Sequence, residues 1–233
     1  MARGLFITGT DTDIGKTYVA ALIARALAAA GHAVGVYKPV ASGCRVEGST
    51  LVADDAVALW EAAGKPGELD HVCPQRFAVP LAPHLAAAAE GKTIDAELLR
   101  DGLAYWHDRC DVVLVEGAGG LMSPVSDNDY NADLASDLGF PLVVVTPNVL
   151  GTINGTLQTL ITAETFGAGL DVVGVVLNNC RAGGASDDVS RQSNRQELAA
   201  RCVAPLLAEV AHGAEDFDVQ IDWFALAQDP RSA

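Results

Sequence analysis

Leu5-Phe6-Ile7-Thr8-Gly9-Thr10-Asp11-Thr12-Asp13-Ile14-Gly15-Lys16-Thr17 is the stretch on which the fold turns. From Gly9 to Thr17 it satisfies the phosphate-binding pattern G-x-x-x-x-G-K-[ST] at every position. Gly9 and Gly15 let the backbone turn tightly and approach a polyanion with no Cβ in the way. Successive N–H groups then form a concave anion nest, to which the following helix adds the positive end of its dipole. In this geometry Asp13, Ile14 and Gly15 lie against the phosphates, Lys16 reaches the β and γ groups, and the Thr17 hydroxyl is a Mg²⁺ ligand. A surface turn with a stray lysine would match the same letters, so the flanks decide. Leu5 to Thr8 reads as a short buried strand. Val19, Leu22, Ile23, Ala26 and Leu27 recur at helical spacing until Gly31 stops the pattern.

Working outward, strand and helix patterns alternate. Strands are expected at 33–37, 111–116, 141–146, 171–177 and 206–210. Helices are expected from Asp54-Asp55 to Ala63, from Pro83 to Gly91, from Thr93 to about Arg109, at 131–138, at 152–166, and from a Ser193-Asn194-Arg195-Gln196 capping box to Cys202. Residues 40–50 and 65–83 read as loop, and the acidic stretch Glu215–Asp222 as a solvated tail. Most strands are apolar throughout, as strands buried on both faces must be. The fold class is therefore α/β, a mostly parallel sheet with helices on both faces, and a single domain over residues 1–233 is expected.

In such sheets ligands collect at the carboxyl ends of the strands. The polar residues there are Thr8, Lys38, Glu116, Thr146 and Asn178. Glu116 closes an apolar strand in the manner of a metal-holding acid and is followed by Gly117-Ala118-Gly119-Gly120. Asp55 is a second candidate acid, although Asp54 or Asp55 at a helix start is also an expected cap. Lys38 beside the phosphate loop suits a catalytic cation, with Ser42 in the next loop a weaker candidate. Asn148 to Asn154 precedes a helix whose N-terminus suits a carboxylate.

The 233 residues, half of them hydrophobic, are enough for a proper core. A formal net charge of −15 speaks against nucleic acid or an anionic membrane as partner. The five cysteines are widely spaced with no C-x-x-C pair, which suits reduced thiols rather than disulfides or zinc. No apolar run reaches the roughly 20 residues of a membrane span. The N-terminus runs directly into a strand without the pattern of a secretory signal, so a soluble cytoplasmic protein is expected.

Six pieces, in order, resemble the dethiobiotin synthetase family of P-loop NTPases. They are Gly9–Thr17, Tyr37-Lys38-Pro39-Val40-Ala41-Ser42-Gly43, Asp54-Asp55-Ala56, Pro80-Leu81-Ala82-Pro83-His84-Leu85-Ala86-Ala87, Val115–Gly120 and Leu150-Gly151-Thr152-Ile153-Asn154. The resemblance implies an ATP-dependent cyclo-ligase. It would take 7,8-diaminononanoate and CO₂ or bicarbonate, phosphorylate the resulting carbamate with ATP and Mg²⁺, and close a cyclic urea. It also implies a homodimer. By motif, Lys16, Lys38 and Thr12 would be catalytic. Thr12, Lys38, Ser42, Leu150, Gly151 and Asn154 would hold the substrate. Residues 13–17, Asp55, Glu116, Gly117, Ala118, Gly119 and Asn178 would hold the nucleotide, and Thr17, Asp55 and Glu116 the metal. Asp13 stands where the family often has glutamate, the last third matches poorly, and no aromatic lies near Asn194.

Two other classes use related loops. Partner-regulated ATPase switches resemble one another in a second lysine early in the loop, where this chain has Gly9-Thr10-Asp11. Small-molecule kinases share Lys and Mg²⁺ chemistry but leave Lys38 and Ser42 without a role.

Overall fold

The computed structural model describes residues 2–182 and 188–228. Strand β1 (Arg3–Gly9) leads through the phosphate loop into α1 (Lys16–Ala29) and then β2 (Val34–Tyr37). Next comes an excursion from the main sheet. It contains β3 (Val40–Ala41), the hairpin of β4 (Arg45–Glu47) and β5 (Thr50–Val52), α2 (Asp54–Ala62), α3 (Leu69–Val72), β6 (Gln75–Arg76), α4 (Pro83–Ala89) and α5 (Leu98–Asp101). The chain returns through β7 (Val112–Glu116), α6 (Asn131–Leu138), β8 (Leu142–Pro147), α7 (Thr152–Thr165), β9 (Val172–Asn178), α8 (Arg191–Arg201), β10 (Leu206–Val210) and α9 (Trp223–Leu226).

The main sheet has six strands in the order β10-β9-β8-β1-β7-β2, and every neighbouring pair is parallel. All five residues of β7 are buried, as are all of β1 after Arg3. Strands this apolar can exist only with both faces covered, which is why the sequence supplies a helix between successive strands. The central β1 thus delivers its carboxyl end, and the phosphate loop, between those of β7 and β8. No helix among the described residues is long and apolar enough to cross a membrane.

Four expectations need correction. Residues 40–50 and 65–83 are not plain loop: β3 pairs in parallel with β6, and β4 with β5 as a hairpin. The segment 93–109 is not one helix. Asp95 Oδ1 accepts from Leu98 N at 2.9 Å and starts α5 there, while the buried Tyr37 hydroxyl donates to Leu98 O. The chain then tightens to a 3₁₀ turn over Gly102–Trp106. Ser193 and Asn194 lie inside α8, whose start is fixed earlier by Asp188 Oδ1 accepting from Ser190 N at 3.0 Å.

The acidic stretch Glu215–Asp222 is not a tail. Asp218 accepts from Glu209 N at 3.1 Å and pairs with Arg195 at 2.6 Å. Asp222 caps α9, and Phe217 packs on Trp223, which is 2% exposed. Just before the segment, the Tyr18 hydroxyl of α1 donates to Ala214 O. Charge density misled here because its acids are the polar rim of an apolar anchor.

Candidate active site

The phosphate loop is held by the strand ends on either side of it. Gly15 adopts φ +84° as the N-cap of α1, and Asp13 stands at φ +56°, a conformation that few side chains accept. Ile14 is buried, and its carbonyl accepts from Asn178 Nδ2 at 2.9 Å and from Cys180 Sγ at 2.9 Å. Asp11 Oδ1 accepts from Thr12 N, and Lys16 Nζ folds back to Asp11 O at 2.8 Å. Burial, with the Lys38 charge second, pulls the Lys16 ammonium below the ordinary lysine value.

Across the loop, Lys38 is almost fully buried between two acids. Its Nζ donates to Glu116 Oε1 at 2.5 Å and to Asp55 Oδ2 at 2.9 Å. Burial alone would lower its pKa; the two carboxylates outweigh that and raise it, so Lys38 is a fixed cation. Asp55 does not cap α2, whose N-cap is Ala53; Lys38 draws its carboxyl below the usual range. Burial pushes the Glu116 carboxyl up, Lys38 pulls it down, and the net direction is upward. Thr17 Oγ1 donates to Glu116 Oε1 at 2.8 Å, whereas Glu116 Oε2 is buried with no hydrogen-bond partner.

These groups line one cleft of about 450 Å³, formed by Thr12, Asp13, Gly15, Lys16, Thr17, Tyr18, Lys38, Ala41, Ser42, Asp55, Glu116, Ala118 and Gly119. Two buried lysines, three acids, two glycine-bearing loops and four hydroxyl side chains thus meet at the strand ends. Such a cleft suits a polyanion beside a second, smaller ligand. A larger apolar groove of about 870 Å³ between α1 and α2 meets the cleft only at Thr17 and Tyr18 and holds no comparable set of charges.

Other expected residues sit elsewhere. Leu150 is 82% exposed, Gly151 is the exposed N-cap of α7, and Asn154 donates to Gln158 on the helix surface; none of the three lines the cleft. Asn178 is buried, with its side-chain amide on the phosphate loop. Gly117 is also buried, close against Asn131 and Phe6 rather than lining the cleft. Thr146 joins Thr10, Thr152 and Thr156 in a buried hydroxyl cluster.

Sequence reasoning missed Asn131 and Cys180. Asn131, fully buried, accepts from Ala118 N at 3.1 Å and donates to Ala118 O and Gly120 O at 2.7 and 2.8 Å. An asparagine at a helix start reads as a cap, and only the fold shows that it faces the loop after β7. Cys180 carried no signal at all.

Residues 3–214 match the AAA domain family. ATP-dependent dethiobiotin synthetase of Rhodopirellula baltica is 44% identical over 222 residues, covering 90% of this chain and 84% of that protein. The enzyme of the same name from Anaeromyxobacter dehalogenans is 44% identical over 198 residues, 84% of each chain. That of Salmonella typhi is 36% identical over 210 residues, 90% of each. Among solved structures, a ParA family ATPase from Chlorobium tepidum superposes with a TM-score of 0.56 at 16% identity, covering 92% of this chain and 87% of that one. That last likeness shows the fold alone: a P-loop NTPase α/β sheet. Sequence identity over nearly the whole length of the relatives goes further, and the chain belongs to the ATP-dependent dethiobiotin synthetase family of P-loop enzymes.

Proposed function

We propose that this protein closes the ureido ring of dethiobiotin from 7,8-diaminononanoate, CO₂ or bicarbonate, and ATP, as a cytoplasmic homodimer. One observation carries the reading. Lys38 is a buried, permanently charged cation fixed by Glu116 and Asp55 in the same cleft as the phosphate loop, whose Thr17 shares Glu116 Oε1 with it. The second lysine of an ATPase switch sits early in its phosphate loop; this one stands directly after β2, where it suits an anionic acceptor.

In this reading one amine of the substrate carries CO₂ as a carbamate. The carbamate oxygen attacks the γ-phosphorus, ADP leaves, and a carbamic–phosphoric anhydride forms. The second amine then attacks the carbonyl carbon, and phosphate departs as the urea closes. Lys16 and the nest of residues 13–17 hold the phosphates, and Lys38 neutralises charge shared between acceptor and transferring group. Thr12 and Ser42, on the same cleft, orient the amines. Glu116, Gly117, Ala118 and Gly119 edge the phosphates, and Asn178 keeps the loop shaped from below while serving the base side. Leu150, Gly151 and Asn154 lie outside the cleft, so they meet the carboxylate end of the chain where the substrate extends beyond it, at a subunit boundary.

The residues present fit Mg²⁺. Thr17 Oγ1, Asp55 and Glu116 are hard oxygen donors at one place, and Glu116 Oε2 is a buried oxygen without a partner. Bound there, Mg²⁺ would supply positive charge to the β- and γ-phosphates.

The test is kinetic. ADP release from purified protein should depend on both diamine and bicarbonate, each omission lowering it to background. ATP turnover that is indifferent to the diamine would sink the reading.

A further inference from the structure

Asn131 and the loop it grips carry an inference beyond the residues assigned so far; it rests on the proposed function. Donors in this loop can be followed one by one. Gly117 N donates to Ile7 O at 3.1 Å and Leu121 N to Gly9 O at 3.2 Å, tying both ends to β1. Ala118 N goes to Asn131 Oδ1 at 3.1 Å, and Gly120 N to Ser123 Oγ at 2.8 Å. The carbonyls of Ala118 and Gly120 are taken by Asn131 Nδ2. Between them only Gly119 N makes no hydrogen bond to any described residue.

Gly119 is also the loop residue that needs a positive φ. Its φ is +83°, and a Cβ there would lie 2.4 Å from Ser123 Oγ and 3.4 Å from Thr12 Oγ1. It therefore lies on the cleft wall beside Thr12, with Lys38 and Ser42 lining the same space. A free N–H on a loop whose neighbouring N–H donors are all taken is a preorganised donor for an oxyanion. Its position depends on Asn131, a fully buried side chain whose three hydrogen bonds all end on this loop.

We infer that Asn131, with Ser123, is a positioning residue: the two lock the loop so that Gly119 N–H meets the carbamate oxygen that attacks the phosphorus. The contact matters while phosphoryl moves, not while ATP waits. Asn131→Ala frees the loop and lets this donor drift, and a displacement of about 1 Å costs on the order of 10²-fold in turnover. Ser123→Ala removes one of the ties at an accessible position and should cost about tenfold, on the same logic of misplacement.

The experiment measures cyclic-urea kcat and, separately, the Kd of a non-hydrolysable ATP analogue with Mg²⁺ for the intact protein and both variants. The expected result is a fall in kcat in both variants that clearly exceeds any loss of analogue affinity, since the loop only edges the phosphates while Lys16 and the nest of residues 13–17 that grip them are untouched. A mere loss of structure would move both quantities together. The inference is overturned by wild-type kcat in Ser123→Ala together with wild-type kcat in Asn131→Ala. It is overturned equally if kcat and analogue affinity decline in parallel in Ser123→Ala, the variant that disturbs only one exposed-side tie. Absence of urea from the unsubstituted protein would overturn the proposed function and this inference with it, whereas urea formation with unaffected variants overturns the inference alone.

Discussion

Lys38→Ala should abolish ring closure, with cyclic-urea formation falling by at least about 10³-fold, the scale on which a removed cation slows phosphoryl transfer. The nest of residues 13–17 and Lys16 is left intact, so the affinity for an ATP analogue should stay within a few-fold. A loss of ATP binding as large as the loss of turnover would refute the role given to Lys38. Stability supplies a second signature. Glu116 is 1% exposed, and removing its partner strands a buried carboxylate, at about 3–5 kcal/mol for such pairs. Asp55 is about half exposed and should contribute little to that loss. Millimolar Mg²⁺ should raise the melting temperature of Lys38→Ala more than that of the unsubstituted protein, since the cation restores a charge beside Glu116. Equal shifts would mean that Glu116 and the metal do not share a site.

Gly15→Ala should be the most damaging glycine-to-alanine change among the described residues. The residue holds φ +84°, where an L side chain is strained by about 1–2 kcal/mol. The new Cβ would lie 2.1 Å from Asn178 Nδ2, which is buried and donates to Ile14 O. That amide can move only by giving up its bond to the loop, and an orphaned buried group costs about 1–3 kcal/mol. If the loop reshapes to relieve this, nucleotide affinity falls by about 10²-fold, at about 1.4 kcal/mol per tenfold. Calorimetric titration with ATP and Mg²⁺ reads this directly. Unchanged affinity would show that the observed loop conformation is not the one that binds nucleotide.

The phosphate loop, its flanking strand and helix, and the strand ends at Lys38, Glu116 and Asn178 were legible because each follows from a short-range pattern: glycine spacing, apolar runs, a polar residue where a run stops. That Glu116, Lys38 and Asp55 meet in one ion cluster follows from the parallel sheet, since β1 lies between β7 and β8 and β2 flanks β7. What stayed hidden depends on pairings that no local pattern encodes. Asn131 reaches its loop across 11 to 13 residues, and Cys180 reaches Ile14 across 166. The small strands β3 and β6 are two residues each, too short for any periodicity to register. Glu215–Asp222 was misread because composition records its acids but not the burial of Phe217 and Trp223 around them.

The central claim is that the cleft phosphorylates an acceptor held opposite the nucleotide and then closes a ring. The most direct test is to supply ATP, Mg²⁺, 7,8-diaminononanoate and ¹⁸O-labelled bicarbonate, and to weigh the products. If the carbamate oxygen attacks phosphorus, a cyclic urea appears and the released phosphate carries ¹⁸O. Urea-free turnover yielding only unlabelled phosphate would mean that water, not a carbamate, takes the phosphoryl group, and would contradict the account.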